Sequence, residues 1–445
     1  MNTPARTLGS FDTTCVVVGA IVGVGIFFTP SRVASLVPSP GLALAAWGLA
    51  GMLALAGAVA FAELGRRVTG EGAQYRVLRD AFGPMPAFVF VFCNATAVQA
   101  GAIGIIAIIC ARNVAAAVGT GVPLSTGVEL GLAAGLVSAV TAANLAGVRW
   151  GAWLQNVTVV AKVAALLVIA GIAALATREA PAKQEAVNGS LSPVAGVLAA
   201  LVPAFFAYGG WQHALWISGE VKNPVRNLPL GILAGTSVVV VVYLAANAAY
   251  LSLLGHAGVA SSQALAADAV ATVMPGTGRR LVAAAIAVSA FGVLNAQLLS
   301  GPRLVAGMAS DGRFFRVFSR SGSDVPVAAI LLLSGFATIL MFVAGFNGID
   351  YLLTGVVVID GVFFALTALA LLVPGQRHRE ASPAQGPSLP FAKVAAAIFV
   401  LGEIALLTGA YVDEAMRQTL PVAGGWMAGA VILYLLAFRK SKPTP

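Results

Sequence analysis

Two stretches decide the fold: Gly19-Ala-Ile-Val-Gly23-Val-Gly25-Ile-Phe27 and Phe206-Ala-Tyr208-Gly209-Gly210-Trp211. Each sits inside an apolar run long enough to cross a bilayer, which takes about 20 residues as a helix. Glycine gives up more conformational freedom in a helix than any other residue, so clustered glycines at bilayer depth mark candidate breaks. Taken singly, either stretch reads more readily as a close-packing face between helices. Their placement decides between the two readings. Working outward, apolar runs fall at about 12–37, 41–65, 84–111, 127–146, 150–175, 194–220, 229–255, 279–308, 325–345, 350–373, 391–410 and 421–438. With segments 1–5 and 6–10 as two repeats, the breaks occupy equivalent segments, and the odd number of spans inverts the second repeat. Interrupted helices at matched positions of two halves point to an inverted-repeat transporter with its site at the midplane.

The composition agrees. Only 10% of the 445 residues are charged and 59% are hydrophobic, whereas soluble domains carry about 25% charge. No soluble interior accommodates that much apolar side chain, so lipid is the solvent for most of the surface. The expected fold is an all-α polytopic membrane protein of about twelve transmembrane helices. An inverted 5+5 repeat would cover about 10–175 and 194–375, forming a transport core over 1–375. A loop at 376–390, two additional helices over 391–439 and a tail at 440–445 complete the chain.

The net charge of +9 resolves by side. Eighteen of the 26 basic residues fall in the tails and even-numbered loops, seven on the other side, and Lys162 belongs to neither. The positive-inside rule then puts both termini in the cytoplasm of a multi-pass cell-membrane protein, with no nucleic-acid partner. The N-terminal apolar run continues to full span length without a cleavage-site pattern and reads as a retained helix. Cys15, Cys93 and Cys110 are odd in number and lack metal spacing, so each is expected as a buried small hydrophobe.

Beyond these features, the sequence resembles the amino acid–polyamine–organocation superfamily, in its L-type amino acid transporter branch. GAIVGVGIF with Thr29-Pro30 is similar to the family's helix 1 signature. FAYGGW followed by Glu220-Val-Lys-Asn223-Pro224-Val-Arg-Asn227-Leu-Pro229 is similar to helix 6 and its exit loop. Ala62-Glu63-Leu64-Gly65, Gly70-Glu-Gly-Ala-Gln-Tyr75, Asn144-Leu-Ala-Gly-Val148, Gln155-Asn156, Ala161-Lys162, Arg303 to Gly312, and Asp360 with Phe363-Phe364 also match, in order, over about residues 8–375. The resemblance implies a leucine-transporter-type fold and secondary-active transport of amino acids.

A zwitterionic amino acid needs a positive and a negative end, and broken helices supply both from backbone. A half-helix starting near Gly25 turns unpaired N–H groups toward an α-carboxylate, and carbonyls around Phe206 to Gly209 accept from an α-ammonium. The expected substrate-binding residues are Ala20, Ile21, Gly23, Val24, Gly25, Phe206, Ala207, Tyr208 and Gly209. In the resembling family Ala20, Ile21, Val24 and Gly25 match the carboxylate side, and Phe206 matches an aromatic gate. Many relatives carry a hydroxyl where this chain has Val24, so carboxylate binding would rest on amides alone. Gly209 stands where some relatives of cationic substrates have an acid, which favours a neutral side chain.

Lys162 lies too deep in segment 5 to snorkel, and intramembrane charges mark ion or proton paths. The family places this ammonium near helices 1 and 8, where sodium-coupled relatives bind a cation. That implies sodium independence, with Lys162 either titrating or acting as a fixed cation. Trp211, His213, Asn295 and Asp360 are secondary candidates, and Trp211 is expected to pack behind the break. Glu403 is expected as a helix–helix hydrogen-bonder, and Glu63, Glu220 and Asp311 as inner-gate ion pairs or interfacial charges.

The expected function is sodium-independent exchange of neutral L-amino acids by alternating access. Proton symport through Lys162 and antiport of cationic amino acids or polyamines are the alternatives. An intramembrane enzyme or a channel is disfavoured: His213, His256 and His378 lie on separate segments, and neither HExxH nor GxSxG occurs. No catalytic residue, metal or cofactor is expected. Relatives that pair with a glycoprotein subunit use a cysteine in the loop after helix 3. The 112–126 stretch has none, so no disulfide-linked heavy subunit is expected.

Overall fold

The computed structural model describes residues 6–119, 124–175, 192–319, 325–347, 356–373, 388–412, 414–418 and 420–439. The described chain is helical apart from turns and one isolated bridge, Leu8 with Val221. Most of the expected 376–390 loop, the 440–445 tail and the first residues of segment 10 lie outside the described residues, as do Arg178, Lys183 and His378.

The first segment breaks as its glycines require. Helix α1 (Ser10–Ile21) and helix α2 (Gly25–Leu36) meet at Val22–Val24 with a 46° bend. Pro40 opens helix α3 (Pro40–Arg67), where a missing N–H costs nothing, and the Ser39 hydroxyl caps it by accepting from Leu42 N–H. A short amphipathic helix, α4 (Ala73–Phe82), precedes the third segment. That segment runs as α5 (Pro84–Cys93), a π-turn (Asn94–Gln99) and α6 (Ala100–Val118). Helices α7 (Thr126–Leu145) and α8 (Val148–Leu175) complete the first repeat.

The sixth segment breaks where Gly209 and Gly210 stand. Helix α9 (Pro193–Ala207) stops, and after a turn the chain resumes only as the single turn α10 (His213–Trp216) and a 3-10 turn (Ser218–Glu220). Next come α11 (Pro224–Ser261), a short α12 (Leu265–Ala271), α13 (Thr277–Ser300) and α14 (Pro302–Ser310). Helices α15 (Val327–Asn347), α16 (Val356–Leu369), α17 (Ala392–Val412), α18 (Glu414–Arg417) and α19 (Leu420–Leu433) finish the described chain.

Eight helices among the described residues pass as full spans, and the bent α1–α2 pair makes a ninth. Three shorter apolar helices, Pro193–Ala207, Val327–Val343 and Val358–Leu369, fall on segments 6, 9 and 10. Every expected segment is therefore a helix. Repeat-equivalent segments pack on each other: α2 on α9, α3 on α11, α6 on α13, and α7 on α15. Pairing of equivalents is what a pseudo-two-fold axis between inverted repeats produces. Cys15, Cys93 and Cys110 are buried free thiols.

Candidate functional site

The two breaks touch. Gly210 holds φ +137°, and a Cβ there would stand 2.7 Å from the Ala20 carbonyl carbon and the Ile21 nitrogen, so only glycine lets the second break lie on the first. Gly25, the first residue of α2, lies against Ala207, the last residue of α9. A helix start with its unpaired N–H groups and a helix end with its unpaired carbonyls therefore sit side by side.

Above this junction lies a cavity of about 840 Å³, within the roughly 300–1,000 Å³ range of small-molecule pockets. Ala20, Ile21, Gly23, Val24, Gly25, Phe206, Ala207 and Gly209 all line it, as do His213 and Asp360. Phe206 is 43% exposed and stands over the end of α9. Tyr208 differs from the expectation. Its ring is fully buried against Trp47 and Tyr243, with centroids 5.6 and 5.1 Å away, and it does not line the cavity. Tyr208 closes the helix end at φ −86°, ψ −5°, and its ring packs into the core on the far side from the cavity. Trp211 packs behind the break on Phe61, Phe364 and Phe399.

Lys162, 1% exposed, reaches from α8 to the end of α1. Its Nζ donates to the Gly19 carbonyl at 2.7 Å and the Val22 carbonyl at 2.5 Å. Ser289 Oγ of α13 also donates to Val22, at 3.2 Å, and Tyr243 OH donates to Ile21 O at 2.9 Å. The carbonyls that α1 leaves unpaired at its break are thus satisfied by an ammonium and two hydroxyls, the ammonium matching the negative helix end. Lys162 itself does not line the cavity. Asn295 does not either: its amide donates to Gly151 O and Gln155 Oε1 and accepts from Asn144, tying α13 to α7 and α8. His213 Nδ1 is hydrogen-bonded to Ser300 Oγ.

The cavity runs toward one face, past Arg112, Asn113 and Arg279. At the other face the chain is sealed. Leu8 pairs with Val221, and Gly72 N–H donates to Trp216 O at 3.2 Å. Arg303 Nε meets Glu220 Oε1 at 3.2 Å with both side chains about 1% exposed. Glu63 pairs with Arg66 and Arg67, and Asp311 with Arg79. Burial works against the Arg79 charge, but Asp80 and Asp311 outweigh it and hold the guanidinium above its ordinary value. Glu220 is therefore a buried partner rather than an interfacial charge.

Sequence reading missed the π-turn at Asn94–Gln99, which brings Gln99 to the cavity, and the place of Glu403, which lines it too. The Asn94 and Gln99 amides inside an apolar run were the available signal.

Paired broken helices beneath a cavity that opens to one side define an integral, multi-pass membrane permease. Residues 8–438 match the amino acid permease family, and the chain belongs to it. It is 31% identical to the mouse b(0,+)-type amino acid transporter 1, over 83% of this chain and 76% of that one. It is 28% identical to the serine/threonine exchanger SteT of Bacillus subtilis (strain 168), over 98% of both chains. The human large neutral amino acids transporter small subunit 2 is 28% identical over 83% and 69%. These relatives are transporters, not enzymes.

Proposed function

We propose that the chain exchanges neutral L-amino acids across the cell (inner) membrane without sodium, with both termini cytoplasmic and the cavity opening outward. One observation carries this reading: the start of α2 and the end of α9 flank a single cavity, offering a partial positive and a partial negative helix end at the spacing of two touching residues, Gly25 and Ala207. A zwitterion fits that pair. The substrate α-carboxylate takes the N–H groups at Val24–Gly25, and the α-ammonium takes carbonyls at the end of α9. Phe206 closes over the substrate, and the side chain extends into the apolar part of the cavity. Similarity to an exchanger and to a neutral amino acid transporter supports the same reading.

Lys162 acts as the fixed cation. Its ammonium is engaged by two α1 carbonyls, so α1 needs no metal ion to complete its broken end. Arg303–Glu220 and the Leu8 strap form the inner gate that opens when α1 and α10 move. Residues 1–375 form the transport core, 391–439 an addition to it, and no disulfide-linked subunit is required.

The test is uptake of a labelled amino acid panel into proteoliposomes, in sodium and in choline. Alanine, serine or leucine should be taken up equally in both media. Arginine or a polyamine as best substrate with those three inert, or a steep sodium dependence, overturns the reading.

A further inference from the structure

Two carboxyl groups in the cavity wall have no part in the mechanism above. Asp360 of α16 and Glu403 of α17 both line the cavity. Glu403 is 1% exposed, and its Oε1 has no hydrogen-bond partner. Its Oε2 lies 3.1 Å from where a Cβ would sit on Gly361, so the bare backbone at 361 makes room for the Glu403 carboxyl one residue along the chain from Asp360. Gln99, on the π-turn that packs against α16, is 2% exposed and lines the cavity, with its Oε1 also unpartnered.

No base answers the pair among the described residues. The π-turn brings Asn94, Thr96 and Gln99, none of them titratable, and α9 brings no titratable group. Glu63 of α3 is held by Arg66 and Arg67. Helix α4 carries Tyr75, Arg76, Arg79 and Asp80 at the sealed face, and α17 its own Lys393 and Tyr411 near its two ends. Glu414 and Arg417 follow on α18. His213 faces the cavity but is bonded to Ser300. Arg112 and Arg279, at the mouth, are paired with Glu129 and Asp268. Two adjacent carboxylates in such a wall, without a cation, do not both stay ionised. Two carboxyls are too few for a metal cage.

We propose that Asp360 and Glu403 form a proton-binding site in the cavity wall, and that this site must hold a proton for neutral amino acids to be exchanged. The inference rests on the exchange reading above. Its physical basis is competition. The end of α9 offers the substrate α-ammonium roughly half a negative charge, whereas an ionised acid in the same cavity offers a whole one. Loss of the proton therefore draws the ammonium out of register with the N–H groups of α2. The proton comes from water at the cavity mouth and returns there, with no other bond changed.

The experiment measures leucine counterflow in proteoliposomes preloaded with unlabelled leucine, at equal pH on both faces, from mildly acidic to alkaline. Wild-type protein should lose about tenfold in rate per pH unit beyond the midpoint. Glu403→Gln and Asp360→Asn, each checked for a monodisperse gel-filtration peak, should flatten that fall while keeping the acid-limb rate. A wild-type-like pH profile in a well-folded variant overturns the proposal. So does a sodium- or potassium-dependent wild-type rate that Glu403→Gln abolishes, because the occupant is then a metal cation. Lysine inhibition lost in Glu403→Gln with the leucine profile unmoved overturns it too, in favour of a substrate side-chain subsite. Absence of counterflow at every pH overturns the exchange reading itself, which separates the two failures.

Discussion

Replacing Lys162 with methionine keeps the length of the side chain and removes its charge and donors. The Gly19 and Val22 carbonyls lose bonds of 2.7 and 2.5 Å, and only Ser289 remains on Val22. Hydrogen bonds to a charged group contribute about 1.5–3 kcal/mol each. Two of them give about 3–6 kcal/mol, and the desolvation of the ammonium in the parent offsets part of that. A net loss of about 3 kcal/mol at the end of α1 cuts the population of the correctly shaped break by roughly a hundredfold, at 1.36 kcal/mol per factor of ten. Counterflow of labelled substrate into preloaded proteoliposomes should therefore fall by about two orders of magnitude. Lys162→Arg should fall less, because it keeps a donor and a charge. Counterflow in Lys162→Met within threefold of the parent would refute the assignment of Lys162 to the α1 carbonyls.

Gly210→Ala should lower Tm and abolish uptake, because the added Cβ meets the Ala20–Ile21 backbone at 2.7 Å; a stable, active variant would show that the two breaks do not touch. Arg303→Ala removes a buried ion-pair partner of Glu220 and loosens the sealed face. Cysteines placed along α10 should then label faster from the sealed face, and unchanged labelling would count against a gate there. Phe206→Ala should raise KM for bulky substrates more than for alanine, measured by competition in the same vesicles.

Much of this arrangement is legible in the sequence because the physics behind it is local. A glycine run in lipid must break a helix or pack a neighbour, and GVGIF with FAYGGW at matched positions announces both breaks. Lys162 is legible as a charge too deep to snorkel, and the family resemblance implies its place near helix 1, but its two carbonyl partners show only in the packing of α8 on α1. The burial of the Tyr208 ring is not legible, because the direction of a side chain in a turn depends on its φ and ψ, which no spacing encodes. Glu403 was read as a simple helix tie. Its neighbour Asp360 lies on the other side of a long connection, and only the packing of α17 on α16 brings the two acids together. The π-turn at Asn94–Gln99 escaped because one extra residue per turn leaves an apolar run unbroken.

The account depends most on obligatory exchange at the paired breaks. Vesicles holding the purified protein are loaded with unlabelled leucine or with buffer alone, and labelled leucine uptake is followed with and without an inward pH gradient. Strong stimulation by internal leucine, and no accumulation in empty vesicles with or without the gradient, is the predicted result. Accumulation in empty vesicles only when the outside is acidic, abolished by Lys162→Ala, would contradict it and make Lys162 a proton carrier.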